Sequence, residues 1–590
     1  MTADRRARRR VAAAVLIVAM VLGGFVVRLV DIQVVRAEQL SEESEARRSI
    51  PSPLYGARGD IVDVNGVVLA DSVYRYDVAV SPQFVEEYSL RDPETGEKTQ
   101  HTVTEALEAI AQLIGADALA LRAGIDAELA IDPHDDHSYL ARRVTTETFQ
   151  AIRALRVPWV YFERQPSRTY PNGQVAGNLV GFLGTDGPQT GLEYRLNDCL
   201  EATHGSSTYE RGADGVKLPG TTVVQQEAID GGLLRLTIDA DVQWFAQQTI
   251  AEQAIAIGAD WASAWVVRVD DGHIIAAADW PTVDPNNVNL TARENWGARS
   301  FSEPFEPGSI FKAMTFAGLL DAGVTTPGEQ LVVPGRLPTI ANYSITDAWA
   351  HDDLRLTSTG VLMRSSNIGT SILASRLSAQ QRHDYLSAFG IGEQTAVDFL
   401  GESNGRLRSA DSIDGHGTLT QMFGQGVTAT SAQIASAYQA LANGGVRQPL
   451  TLVAGCEHAD GTVTHTPSTE GVRAVSESAA DTTVAMLESV ATDSAIASLV
   501  SIPGYRVAAK TGTAEVAQNG RYTDERIISV AGLAPADDPQ YVVVVTYGRP
   551  DTMKTSATAA PTFRSIMTQV LKTFRVEPST QPAPRLPITW

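Results

Sequence analysis

Five arginines, Arg5, Arg6, Arg8, Arg9 and Arg10, stand directly before an apolar run from Val11 to Val27 that continues, less purely, to Val35. No other stretch narrows the possible folds as much. Seventeen strictly apolar residues are at the short end for a membrane span, but Arg28 can snorkel to the interface and Leu29 to Val35 extend the reach. A transmembrane helix is therefore expected over residues 11–35, with the basic segment 1–10 kept in the cytoplasm. A cleavable signal peptide is the competing reading, but its apolar stretch would be shorter and would end at a small-residue cleavage site. None follows here. An uncleaved signal anchor puts everything after Val35 outside the cytoplasm.

The chain has 590 residues, 43% of them hydrophobic and 20% charged, enough for two or three domains with sizeable cores. A net charge of -22 would repel phosphates, which argues against nucleic acid as a partner. Cys199 and Cys456 are the only cysteines; being far apart and apparently in different domains, they are expected to be reduced core residues. The ten histidines are scattered without ligand spacing, so no metal or other cofactor is expected.

Chemistry points first to Phe305-Glu306-Pro307-Gly308-Ser309-Ile310-Phe311-Lys312-Ala313-Met314. Pro307 and Gly308 break the preceding segment, and Ile310 to Leu320 is apolar and Ala-rich enough for an interior helix. Ser309 would open its first turn, with Lys312 on the same face and within reach of the hydroxyl. The chain has six lysines (98, 217, 312, 510, 554 and 572) among 47 basic residues, so a lysine here needs a reason. A guanidinium stays charged, whereas a buried ammonium can lose its proton and serve as a base. Taken alone, the pair is as readily a helix cap and a solvated charge. Two distant stretches change that balance. Arg364-Ser365-Ser366-Asn367-Ile368-Gly369 is a polar cluster between apolar helical runs, costly to bury without a partner or a task. Val507-Ala508-Ala509-Lys510-Thr511-Gly512-Thr513-Ala514-Glu515 reads as a strand edge, where Thr hydroxyls around a small Gly would let a substrate backbone lie alongside.

Ser-x-x-Lys, Ser-x-Asn and Lys-Thr-Gly, in that order and about 55 and then 145 residues apart, are together far more specific than any one of them. The set is shared by penicillin-binding proteins and class A β-lactamases. Over nearly its whole length the chain resembles the class B penicillin-binding proteins, especially the division-type transpeptidases called penicillin-binding protein 3. Arg58-Gly59-Asp60-Ile61-Val62-Asp63-Val64-Asn65-Gly66, Gly191-Leu192-Glu193, Phe423-Gly424-Gln425-Gly426 and Ala442-Asn443-Gly444-Gly445 also carry the resemblance. Val64 stands where the family usually has Arg, and Ala509 where Gly is common; neither touches the presumed chemistry.

The resemblance implies an α+β chain: a transmembrane helix, a mixed α/β pedestal over 36–230, a transpeptidase domain over 231–575 and a Pro-rich tail over 576–590. The transpeptidase domain would be an antiparallel sheet flanked by helices, as in serine β-lactamases. The tail, with Pro578, Pro582, Pro584 and Pro587, is expected to be extended and mobile, and no further module is expected after it. No glycan-polymerising domain is expected before the pedestal. The implied activity is a peptidoglycan D,D-transpeptidase that cross-links stem peptides through a serine acyl-enzyme in septal wall synthesis. Ser309 would be the nucleophile, Lys312 its base, and Ser365 the proton shuttle to the leaving amine. Asn367 would hold the donor peptide and steady Lys312. Lys510, Thr511 and Thr513, with Gly512 between the threonines, would bind the substrate's terminal carboxylate. Backbone N–H groups of Ser309 and Thr513 would form the oxyanion hole. Implied partners are stem peptides ending in D-Ala-D-Ala, β-lactams, the plasma membrane and division proteins including a glycan polymerase. An elongation-type transpeptidase, a β-lactamase and a β-lactam-binding sensor or scaffold are the alternatives.

Local signals set further expectations. Leu40 to Arg48 reads as a charged helix, and Ile61 to Val80 as a hairpin turning at Asn65-Gly66. Thr102 and Glu105 form a capping box for a helix over 103–114 stopped by Gly115. Asp132, Asp135 and Asp136 read as a solvated loop rather than a metal site. Arg168 and Glu193 are candidates for an ion pair within the pedestal. Ala262 to Val269 and His273 to Ala278 form a hairpin, Val542 to Val545 a central strand, and 557–574 a closing helix.

Overall fold

The computed structural model describes residues 2–40, 49–92, 95–135, 137–210, 220–338, 344–518 and 521–590. Of the expected helix from Leu40 to Arg48, residues 41–48 lie outside them, as does Asp136. The chain forms two compact units: Met1–Ala57, Val73–Ser167 and Ala202–Asp230 in one, Arg58–Ser72, Arg168–Glu201 and Gly231–Trp590 in the other. Residues 58–72 and 168–201, expected in the pedestal, thus pack with the second unit.

In the first unit, the basic-apolar segment is one helix, Thr2–Val30, followed by a wider turn over Asp31–Val35. It is long and apolar enough to cross a membrane. At its end Arg28 and Arg36 both pair with Asp31, at 2.7 and 2.8 Å. Further along, Thr102 and Glu105 close the expected capping box on the helix Val103–Ile114, which stops at left-handed Gly115. Its apolar face, Leu107 and Ile110, joins Val78, Val80, Ile125, Ile152 and Trp159 in a small core. A separate three-stranded sheet joins Ser49–Leu54 to Gly205–Glu210 and Val223–Gln226.

The second unit is built on a five-stranded antiparallel sheet in the order Ile274–Trp280, Trp261–Arg268, Tyr541–Gly548, Arg521–Ala534, Ala508–Gln518. Both faces are covered. Val542 and Val544 enter one core with the helices Lys312–Asp321 and Ser431–Ala442, while Val543 and Val545 enter the other with Ala240–Ile257 and Ala560–Thr573. A strand buried on both faces needs apolar side chains at every position, which is why the valine run shows no alternation. The α+β architecture expected from the sequence is the one observed.

Segments 58–72 and 168–201 are tied to each other by one buried carboxylate. Glu193 accepts from Arg168 Nε at 2.6 Å and from Arg58 Nε at 2.7 Å, and its side chain is fully buried. Arg58 also donates to Asn197 Oδ1 and to the Glu193 carbonyl, and Arg168 to the Gly59 carbonyl. The expected Arg168–Glu193 pair is therefore present.

Two expectations fail here. Cys199 and Cys456 are not reduced residues of separate domains but a disulfide with Cα atoms 6.2 Å apart, closing a span of 257 residues. Helix Asn197–Leu200, carrying Cys199, packs on strand Leu233–Leu236, and that strand pairs with Val453–Glu457, carrying Cys456. The sheet brings together what distance along the chain had separated. Nor is the tail free: Val576, Ser579, Pro587, Ile588 and Trp590 all hydrogen-bond to the rest of the second unit. Proline sets the extended form of such a segment but leaves its carbonyls available, and those of Pro587 and Ile588 dock beside the Ser579 and Trp590 side chains.

Candidate active site

Gly308 carries the chain into the site with φ of 58°, a left-handed value that costs glycine little. A single tight turn, Gly308–Phe311, then leads into the helix Lys312–Asp321. Space here is set by main chain. A Cβ on Gly308 would lie 3.0 Å from the Thr513 carbonyl oxygen, and one on Gly424 2.1 Å from that of Gly308. One on Gly512 would lie 2.8 Å from the Pro307 carbonyl oxygen and 2.6 Å from Ser529 Oγ. The glycines let the serine turn, the Gly424 turn and the strand Ala508–Gln518 meet backbone to backbone.

Ser365 and Asn367 sit on a junction between helices. Helix Ser358–Arg364 ends on Ser365 at φ of 60°, and Ser366 caps the next helix, Asn367–Ala374, by accepting from Gly369 N. A left-handed residue followed by an N-cap turns the chain sharply, and both Ser365 and Asn367 then reach Lys312.

Lys312 Nζ is the centre of the site. It lies 3.1 Å from Ser309 Oγ, 3.2 Å from Ser365 Oγ, 2.6 Å from the Ser365 carbonyl oxygen and 2.7 Å from Asn367 Oδ1. The carbonyl can only accept. Asn367 is oriented by its own Nδ2, which donates to the Thr346 carbonyl at 3.2 Å, so its Oδ1 also faces Lys312 as an acceptor. A neutral amine has two N–H groups and one lone pair. The two acceptors consume the N–H groups and leave the lone pair for a hydroxyl.

Electrostatics favour that neutral form. Burial, and then the nearby charge of Lys510, hold the Lys312 ammonium well below the usual lysine range, against a smaller opposing pull from Asp347. Burial brings Lys510 down to about 7. Its Nζ donates to Ser365 Oγ and to the Thr511 carbonyl, each at 3.0 Å. Ser365 Oγ therefore lies between the two amines.

Lys510, Thr511, Gly512 and Thr513 follow one another on Ala508–Gln518, the last strand of the sheet. Lys510 and Gly512 are buried and Thr513 is exposed. The outer edge is unpaired among the described residues and can take an extended peptide as a further strand.

The structure thus brings together Ser309, Lys312, Ser365, Asn367 and Lys510, and puts Thr511, Gly512 and Thr513 on the adjoining edge. Three further residues escaped the sequence reading. Glu306 accepts from Gly426 N and from Tyr522 OH, both at 3.0 Å, tying the Gly424–Gly426 turn and the strand Arg521–Ala534 to the Ser309 turn. Its place just before Pro307-Gly308 was the available signal. Asp347 accepts from Ile368 N and pairs with His351 at 3.0 Å, and no motif marks it. Gly424 belonged to a noted stretch, but its steric role appears only in three dimensions.

A half-buried serine beside a buried lysine, on helical turns against an antiparallel sheet, defines a class: serine acyl-enzymes with an amine beside the nucleophile. Comparison with known proteins is consistent throughout. Residues 262–568 match the penicillin binding protein transpeptidase domain, and residues 53–236 the penicillin-binding protein dimerisation domain. Penicillin-binding protein PbpB of Mycolicibacterium smegmatis is 34% identical over 95% of this chain and 89% of the relative. Peptidoglycan D,D-transpeptidase FtsI of Escherichia coli is 30% identical over 93% of this chain and 89% of the relative. Among solved structures, penicillin binding protein 3 of Mycobacterium tuberculosis complexed with ampicillin is 28% identical with a TM-score of 0.70, over 91% of this chain and all of that one. The chain belongs to the class B penicillin-binding proteins, as the motifs and their order implied.

Proposed function

We propose that this chain is a peptidoglycan D,D-transpeptidase of septal wall synthesis that works through an acyl-enzyme on Ser309. The observation that carries the reading is the Lys312 amine, buried, its two N–H groups engaged, 3.1 Å from Ser309 Oγ. Lys312 takes the Ser309 proton as Oγ bonds to the carbonyl carbon between two terminal D-alanines. Backbone N–H groups of Ser309 and Thr513 hold the oxyanion, each worth roughly 3 kcal/mol in sites of this kind. Ser365 Oγ relays the proton to the departing D-alanine nitrogen as the C–N bond breaks. An amine from a second stem peptide attacks the ester, the Oγ–C bond breaks, and the proton returns to Ser309. Lys510, Thr511 and Thr513 bind the donor's terminal carboxylate, and Asn367 positions the donor and Lys312 together. A β-lactam enters the same cycle and stops at the acyl-enzyme.

The names of the relatives support the substrate class, and the resemblance of the motifs to division-type transpeptidases supports the septal role. Arg5, Arg6, Arg8, Arg9 and Arg10 favour a cytoplasmic N-terminus, with the catalytic unit across the membrane among division proteins including a glycan polymerase. The domain reading remains an anchor, a non-catalytic pedestal and a catalytic unit.

Covalent labelling by a fluorescent penicillin tests the chemistry. Ser309→Ala is expected to abolish labelling in a folded protein, and Lys312→Arg to come close, since a guanidinium supplies charge without basicity. Undiminished labelling of Ser309→Ala would move the nucleophile elsewhere. Rapid release of the bound penicillin would make the protein a β-lactamase instead.

A further inference from the structure

The stretch from Leu586 to Trp590, read from its prolines as a loose end, is docked on the strand Leu354–Thr357 and the start of the helix Ser358–Arg364. Leu356 and Thr589 form an antiparallel bridge, and Thr357 N donates to the Ile588 carbonyl at 3.2 Å. Trp590 Nε1 donates to the Leu331 carbonyl at 3.2 Å, and the Arg355 guanidinium lies 4.9 Å from the centre of the Trp590 ring. Leu586 packs against the main core. These contacts extend the small sheet of Gln330–Val333 and Leu354–Thr357.

Thr357 connects this docking to the helix. Its hydroxyl caps Ser358–Arg364 by accepting from Gly360 N at 3.0 Å, and it donates its own proton to the Pro587 carbonyl. Gly360 has no side chain because the Ile588 carbonyl fills the space: a Cβ there would lie 1.9 Å from that oxygen. The helix is seven residues long, and its other end is Ser365 in the left-handed conformation. A rotation of so short a rod at the Thr357 end is transmitted to the Ser365 carbonyl, the shortest contact of Lys312 Nζ. Upstream, the same tail is pinned a second time. Ser579 Oγ donates to Asp537 Oδ1 and Ser579 N to the Gly504 carbonyl, at 2.6 and 2.9 Å.

We propose that Leu586–Trp590 is a positioning clamp, holding the start of the helix Ser358–Arg364 so that Ser365 and Asn367 present their oxygens to Lys312. The clamp rests on the acyl-enzyme reading above. It acts only through the helix, for none of the tail contacts touches Ser309, Lys312 or Lys510. A segment pinned at Ser579 and docked again from Leu586 can be released at its far end without unfolding the sheet beneath it, so acylation is coupled to tail docking.

The experiment compares the full chain in detergent with one ending at Arg585 and with Trp590→Ala, a residue already 44% exposed. The rate constant for acylation by a fluorescent penicillin is read beside the thermal midpoint, with a synthetic peptide of sequence Arg-Leu-Pro-Ile-Thr-Trp added in trans. Truncation is expected to slow acylation at least about tenfold, since misplacement remote from the chemistry can cost roughly 100-fold. The peptide restores the rate, and Trp590→Ala gives a smaller loss. An unchanged rate after truncation overturns the clamp, as does a lost rate that follows the midpoint down and is not restored by peptide. If truncation alone unfolds the protein, an unchanged rate in Trp590→Ala overturns it. Failure of the full chain to be acylated at Ser309 would instead remove the acyl-enzyme reading, whatever the tail does.

Discussion

Replacing Asn367 by Asp asks directly whether Lys312 works as an uncharged amine. The two side chains have the same shape, so the helix Asn367–Ala374 and the turn at Ser365 need not move. The change puts a negative charge where Asn367 Oδ1 now sits, 2.7 Å from Lys312 Nζ. At an effective dielectric constant of about 20, such a pair is worth roughly 6 kcal/mol. Halving this for relaxation and for proton uptake by the new carboxyl leaves roughly 3 kcal/mol, a factor of about 100 in the protonation equilibrium. Lys312 then stays an ammonium at neutral pH and has no lone pair for Ser309. Acylation by a fluorescent penicillin should slow about 100-fold near pH 7 and recover as pH rises toward the ordinary lysine range, with the thermal midpoint preserved. A variant that acylates at the original rate at neutral pH would refute the reasoning, because a carboxylate at that distance cannot leave the amine neutral.

Glu193→Ala strands two guanidinium groups in a buried site and should cost roughly 3–5 kcal/mol, seen as a lower urea midpoint; an unchanged midpoint would show that Arg58 and Arg168 find water. Burial brings the Lys510 ammonium down to about 7, so above that pH the unfolded chain holds the extra proton and the folded one does not. Stability therefore rises with pH from about 7 to the ordinary lysine range near ~10.4. In Lys510→Met that rise should be shallower, though not absent, since Lys312 is depressed too. Equal slopes in urea titrations of the two proteins would contradict the depressed ammonium.

Short-range signals in the sequence were read well, and contacts closed over long distances were not. The Thr102–Glu105 box and Gly115 bound a helix by local hydrogen bonding, so four or five residues suffice to see it. The hairpin of Trp261–Arg268 and Ile274–Trp280 turns at Asp270-Asp271-Gly272, again a local event. The site was legible for a different reason: lysine in an arginine-rich chain, twice beside hydroxyls and with a Ser-x-Asn cluster between the two in a fixed order, is chemically conspicuous. Its geometry was not legible, because the acceptors on Lys312 come from a helix junction whose angle depends on packing. The Cys199–Cys456 bond required knowing that one short strand, Leu233–Leu236, has a cysteine-bearing neighbour beside it and another packed upon it. Several of the tail contacts are main-chain carbonyls, those of Val576, Pro587 and Ile588, and no residue type announces these.

The seams at Gly308 and Gly424 are drawn chiefly by main chain, and that at Gly512 by the Pro307 carbonyl together with the Ser529 hydroxyl. A floor of that kind offers little side chain to trim or enlarge, and a substituent on it pushes apart the turns that carry Ser309 and the strand beside it. Substitutions that alter what enters are therefore steered away from the floor and onto the rim, to side chains such as Glu515, beyond the residues that hold Ser309 and Lys312 in place.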